Sequence, residues 1–461
     1  MSQVSFDPIL AERRFGYGVS PTIAPPASVA DMLSGVAGPD RMAVQFPLPP
    51  YRHLQDQLVL NRRFRQYARN NPDTEEGQAA EEKVKRLKRQ MRRDRLSWFG
   101  HLMSRRINTS SAFRERLVAF WADHFTAIGK AGMTAGATPL YEEAAIRPRI
   151  GGRFEDLLIS AVTHPLMLHY LDQASSAGPN SPVGKRRQRG LNENLAREIL
   201  ELHTLGVGGP YDQTDVRAFA ALLAGLSTTR DYGFKFRPNM VEPGPKTILG
   251  KTYTPDRTIA PVQAALRDLA RHPATARHIA MKLAVHFLSD TPPEEAVAAM
   301  TAAYVTSDGD LMAVYEALLS HSAAWAPETV NMRPPLEYVS TALRMLGLPA
   351  TRFDGMRPRD LQVLFLQPMA VMGQQVGRPG GPDGWPEEDT AWISPQGVAA
   401  RLEWAMQAPV RLMKTLPEPE TFLETALAGQ APPEVRFAVN AAENRAVAIG
   451  LALCAPWVQR R

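Results

Sequence analysis

Asn192-Glu193-Asn194-Leu195-Ala196-Arg197-Glu198-Ile199-Leu200-Glu201-Leu202-His203-Thr204-Leu205-Gly206 decides the fold class of this chain. At about 100° per residue, Leu191, Leu195, Ile199, Leu202 and Leu205 share one face of a helix, which Gly206 and Gly208-Gly209-Pro210 then stop. Glu198 falls on that same apolar face. A carboxylate there must be paired, protonated or bound to a metal, because an isolated buried charge is costly.

Working outward, helical periods alternate with proline-rich connections and strand patterns are scarce. The chain reads as all-α: a multi-helix single globular unit with a small β-hairpin arm and a projecting basic helical hairpin. Residues 1–57 form an N-terminal strap, 58–108 the basic hairpin broken at Asn70-Asn71-Pro72-Asp73, and 109–230 the core helices with the candidate site. Residues 231–258 form the β arm, where Phe234 and Phe236 alternate with polar residues, and 259–461 the C-terminal helices. The glycine- and proline-rich stretch from Gly377 to Pro386 is long enough to be either functional or mobile. His278, Lys282 and His286 recur every four residues, the pattern of a solvated stripe.

Composition narrows the class. With 461 residues, 44% hydrophobic and 22% charged, the chain can bury a large core or two smaller ones. The net charge of +6 comes largely from twelve Lys and Arg between Arg62 and Arg95. Glu75, Glu76, Glu81, Glu82 and Asp94 interrupt that run and aromatics are few, so nucleic acid is a poor partner and a solvated helical face the better reading. The single Cys454 leaves no intrachain disulfide and no cysteine-rich metal site. No apolar run reaches membrane-spanning length, and Arg13-Arg14 lacks the apolar stretch of an export leader. Cytoplasm is the default compartment, with co-export to the periplasm beside a partner as the alternative. Gly-x-Gly-x-x-Gly after a strand, the P-loop, the Gly-x-Ser-x-Gly elbow and His-Glu-x-x-His are all missing.

The same wheel over Phe113 to Phe125 turns His124 inward, with Arg116 and Asp123 flanking the stripe. Two inward polar groups on neighbouring helices can meet, so one expectation is a Glu198–His124 contact that locks the helices together. The other is a catalytic or metal centre. Its ligand candidates are Glu198, Glu201, His203 and His124, with His169 and Asp172 as further donors, and its cofactor would be a divalent metal ion of unnamed identity. Glu198 and Glu201 lean over one helical turn, whereas His203 lies about 140° away from Glu198 and makes a poor co-ligand.

The 192–207 stretch, followed by Tyr211-Asp212-Gln213-Thr214-Asp215-Val216, resembles the hallmark of a bacterial family known as domain of unknown function 1800. Arg14-Phe15-Gly16, Phe120-Trp121-Ala122-Asp123-His124-Phe125, His164-Pro165-Leu166-Met167-Leu168-His169-Tyr170-Leu171-Asp172, Lys246-Thr247-Ile248-Leu249-Gly250 and the closing Pro456-Trp457-Val458-Gln459-Arg460-Arg461 agree in order. The resemblance covers essentially the whole chain. It implies a largely helical protein without an established reaction, and a phosphatase- or sulfatase-like protein from a neighbouring gene as partner. It also departs from the family at one point, since Val241 stands before Glu242-Pro243-Gly244 where a histidine is common.

Two functions follow as expectations. The first is a metal-assisted or acid/base hydrolytic enzyme on an anionic or glycan-like substrate, with Glu198, His124, Glu201 and Arg197 as catalytic candidates and Arg116, Asn192, Asn194 and Lys246 as substrate contacts. The second is a non-catalytic partner or scaffold with a buried Glu/His/Arg network.

Overall fold

The computed structural model describes residues 6–130 and 132–461. Helices dominate, and the strands form two separate antiparallel pairs. Leu226–Thr228 pairs with Phe234–Phe236, and Lys246–Ile248 with Lys251–Tyr253. The expected arm is therefore two short hairpins, the first of which begins at Leu226, inside the 109–230 segment expected to hold core helices.

Local chemistry sets the helix ends. Tyr51–Asn70 and Glu75–Asn108 build the basic hairpin, and the Thr74 hydroxyl accepts from the Gly77 N–H to start its second helix. Gln213–Leu223 opens on a capping box between Asp212 and Asp215. Asp310 caps Leu311–Ser320. Among the described residues no helix is long and apolar enough to cross a membrane.

The decisive stretch does not form one regular helix. Asn194–Glu198 is α-helical, but Ile199–Thr204 widens into a π-helical turn in which Leu205 N–H and the Thr204 hydroxyl both reach back five residues, to Leu200 and Ile199 carbonyls. The widened turn changes the angle per residue. His203, which a 100° wheel turns away from the apolar face, is fully buried, whereas Glu198 is only half-buried. Such bulges recur at functional sites.

Besides a small patch of Ala177, Val183 and Met240, two large hydrophobic clusters make up the interior of the described residues. The larger gathers Phe15, the Ala112–His124 helix and the helices up to residue 324, around Trp121, Phe154 and Phe287. The smaller joins the end of the hairpin to Pro335–Met345 and the C-terminal helices, around Tyr338, Phe365 and Trp404. Their boundary carries charge. Glu337 accepts from Arg116 at 2.7 Å, Arg333 at 2.5 Å and Arg461 at 2.8 Å.

Candidate active site

A polar seam runs between the 112–124 helix and Pro273–Phe287. The first helix contributes Arg116, Asp123 and His124; the second contributes His278, Lys282 and His286 at every fourth position. That second stripe faces protein at His278, which meets the Leu202 carbonyl, and at His286, which meets Arg116, Glu387 and Arg461, while Lys282 stands on the wall of an open cleft.

At one end are three imidazoles. His124 Nε2 lies 3.2 Å from the His203 carbonyl and His278 Nε2 lies 3.0 Å from the Leu202 carbonyl. Carbonyls only accept, so both rings carry their proton on Nε2. His124 Nδ1 and both ring nitrogens of His203 are buried without a hydrogen-bond partner. Burial, aided by the nearby Lys282 charge, pushes His124 well down, His203 to about 3 and His278 to about 4, so all three rings are neutral at pH 7.

In the middle, Asp123 meets the Gly377–Pro386 loop. The Trp385 N–H donates to both carboxyl oxygens, at 3.0 and 3.2 Å. This approach depends on Gly384, whose φ is +85° and where a Cβ would stand 2.5 Å from Asp123 Oδ2. Burial, then repulsion from Glu387, raises Asp123 to about 8. Burial also opposes charge on Glu387, but His286, Lys282 and Arg116 outweigh it and hold this carboxyl below its ordinary range.

At the far end, His286 Nδ1 lies 2.7 Å from Glu387 Oε1, while its Nε2 lies 3.0 Å from Arg116 and 3.3 Å from Arg461. Guanidinium groups only donate, so Nε2 accepts and the ring's proton sits on Nδ1, directed at Glu387. His286 therefore orients a carboxylate and is not itself an open base.

Two hollows meet here. A cavity of about 210 Å³ lies between the 112–124 helix and the loop, and an open cleft of about 660 Å³ lies beyond it, with Lys282, Asp383 and Trp392 on its walls. Trp385, Pro386 and Glu387 border both. The Trp385 and Trp392 rings stand 6.1 Å apart between centroids.

The sequence candidates are spread more widely than this seam. No hydrogen bond joins Glu198 to His124, whose ring answers the His203 carbonyl instead. Glu198 is raised by burial and then by Glu201 and Asp383, which places it beside the tip of the same loop that holds Asp123. Arg197 bridges Glu193 at 3.4 Å and Glu201 at 3.2 Å on the helix surface. Asp172 is exposed and pairs with Lys130 at 2.6 Å; the His169 ring stands 5.8 Å from that of Tyr232. Asn192 bonds the Leu171 carbonyl and caps Asn194, while the Lys246 ammonium is occupied by the carbonyls of Glu242, Pro243 and Gly244. Arg116 does lie in the seam. Among the described residues no three His, Cys, Asp or Glu side chains converge as a metal site, so this donor set does not fit a divalent ion. Lys282, His286 and Glu387 escape sequence reading as site residues. Only the loop's length and glycine content pointed to that region.

The chain is thus a mostly helical protein whose polar seam lies between packed helices and an irregular loop. The chain is a member of the family described as protein of unknown function (DUF1800), whose model matches residues 11–460. No curated protein and no solved structure matches it.

Proposed function

We propose that this protein is an acid/base hydrolytic enzyme acting on a glycan-like substrate in the cleft beside Trp385. The observation that carries the reading is the divergence of two neighbouring carboxyls. Asp123 is raised to about 8 and keeps its proton at pH 7, whereas Glu387 is lowered and ionised. Pairs pushed apart in this way suit one proton donor and one proton acceptor.

In the reaction Asp123 gives its proton to the leaving-group oxygen as the scissile bond breaks. Glu387 takes a proton from the attacking water, whose oxygen forms the new bond. Return of that proton to Asp123 restores the enzyme. The Trp385 N–H fixes the donor carboxyl, His286 and Arg461 fix the acceptor, and the partly exposed Trp385 indole offers a flat apolar wall of the kind sugar rings pack against.

Release of nitrophenol from a panel of aryl glycosides and aryl glycuronides tests this. Activity should be bell-shaped in pH, falling above about 8 as Asp123 ionises. Asp123→Asn and Glu387→Gln should each lower kcat roughly 10² to 10⁴-fold while the protein stays folded. Hydrolysis that survives both substitutions, or none across the panel, defeats the proposal. In the latter case the second reading gains, a non-catalytic scaffold or partner, supported by the buried Arg116–Glu337–Arg461 network.

A further inference from the structure

Most charged groups around the 210 Å³ cavity are already engaged. Arg116 bonds Glu337, the Gly16 carbonyl and His286; Arg147 bonds Asp40 and Glu115. Arg106 differs. It lies in the last turn of the 75–108 helix, half-buried, lines the cavity, and makes no hydrogen bond or ion pair among the described residues. Neighbouring Arg105 is by contrast paired with Glu143 at 2.7 Å.

Glu142 lines the same cavity, at the start of the π-helical turn Glu142–Ile146. Its carboxyl also has no hydrogen bond or ion pair among the described residues. Arg106 is near enough to act on its charge, yet the two do not pair. An unpaired guanidinium is a costly thing to hold in a half-buried wall unless something else completes its donors. Burial raises Glu142 to about 7, with Arg106 opposing and Glu143 adding to the rise. Below that pH the carboxyl is a donor, like the guanidinium, and both can point at one acceptor.

Resting on the hydrolytic reading above, we infer that Arg106 and Glu142 bracket a subsite for a carboxylate substituent, so that the substrate is an acidic sugar of the uronate type. A planar carboxylate matches the guanidinium fork with two parallel hydrogen bonds. Its second face is free to accept from the Glu142 hydroxyl. Leu102, Val118, Ile128 and Val376 supply an apolar remainder against which the ring's carbon face packs. The cavity has room for about one sugar ring.

The experiment is binding rather than turnover, by ligand-observed NMR and calorimetry on the full chain at pH 6, with glucuronate, glucose and glucose 6-sulfate as probes. Glucuronate should bind at least tenfold more tightly than glucose. Arg106→Gln should remove that preference and Arg106→Lys should restore part of it. Because Arg106 makes no hydrogen bond or ion pair among the described residues, the thermal midpoint of both variants should stay within about 1 °C of the parent. Equal binding of glucose and glucuronate, or a preference unchanged in Arg106→Gln, overturns the inference. A stronger response to the sulfate identifies a tetrahedral oxyanion instead and also overturns it. Selective glucuronate binding without hydrolysis of any glycuronide leaves the subsite standing and removes the catalytic reading; hydrolysis of neutral glycosides without uronate preference does the reverse.

Discussion

Glu337→Gln is the sharpest test of how this molecule holds together. The side chain is 8% exposed and accepts from three guanidinium groups, those of Arg116, Arg333 and Arg461. Glutamine keeps its volume and one carbonyl oxygen but removes the charge. Each charge-assisted bond is worth roughly 1.5–3 kcal/mol. A simple total overshoots, because Arg116 still reaches the Gly16 carbonyl, Arg333 the Arg13 carbonyl and Arg461 its other acceptors. The better guide is the loss on breaking one buried pair, about 3–5 kcal/mol, since what remains is uncompensated buried charge. That is a large part of an ordinary domain's stability of about 5–15 kcal/mol. Urea unfolding at pH 7, followed by both circular dichroism and tryptophan fluorescence, measures it. Two probes are needed because the chain has two large hydrophobic clusters and can depart from two-state behaviour. A loss below about 1 kcal/mol in both probes would mean that the arginines find water or other acceptors, and that the clusters are not joined through this carboxylate.

Three further outcomes are expected. Asp123 has its pKa raised from 3.8 to about 8, so its contribution to stability is complete below about 3.8 and is lost as pH rises to about 8. Between pH 5 and pH 8 the parent should therefore lose more thermal stability than Asp123→Asn, and parallel melting curves would contradict the assignment. His203→Leu removes two buried nitrogens that have no partner, so stability should hold or rise by up to about 1 kcal/mol; a loss above about 2 kcal/mol would show that those nitrogens bind something. Glu198→Gln removes a carboxylate raised by burial and by repulsion from Glu201 and Asp383. It should raise the melting temperature slightly at pH 8 and leave it unchanged at pH 4, and a fall at pH 8 would reveal an unseen partner.

The helical class was legible because it rests on local chemistry: the apolar stripe of Leu195, Ile199 and Leu205 and the break at Asn70-Asn71-Pro72-Asp73 both act within a few residues. The inward turn of His124 was legible for the same reason. What failed was the assumption of constant winding. One π-helical turn at 199–204 lies between the regular winding that ends at Glu198 and the buried His203, and nothing in a 100° wheel announces it. Every-fourth-residue polar groups at 278, 282 and 286 have the same period whether they face water or a polar seam, so the pattern could not choose. Glu387 and Trp385 lie in a loop without period. Their partners are Asp123, 262 positions away from Trp385, and His286, 101 positions away from Glu387, and such contacts leave no trace in a window of sequence.

The stabilising network and the proposed chemistry also share members, which has a consequence for both. Glu337 draws donors from Arg116 and Arg461, and the same two guanidinium groups reach His286 Nε2. His286 in turn passes its Nδ1 proton toward Glu387, and Arg461 stands 3.6 Å from the second Glu387 oxygen. Removing the Glu337 charge therefore leaves excess positive charge beside Glu387 and should lower that carboxyl further. The acidic limb of the activity profile, set by Glu387, would move to lower pH, while the basic limb, set by Asp123, would move little because Arg116 is not among the main influences on Asp123. A Glu337→Gln protein that is destabilised yet shows an unmoved acidic limb would sever the network from the chemistry, and Glu387 would then owe its ionisation to His286 and Lys282 alone.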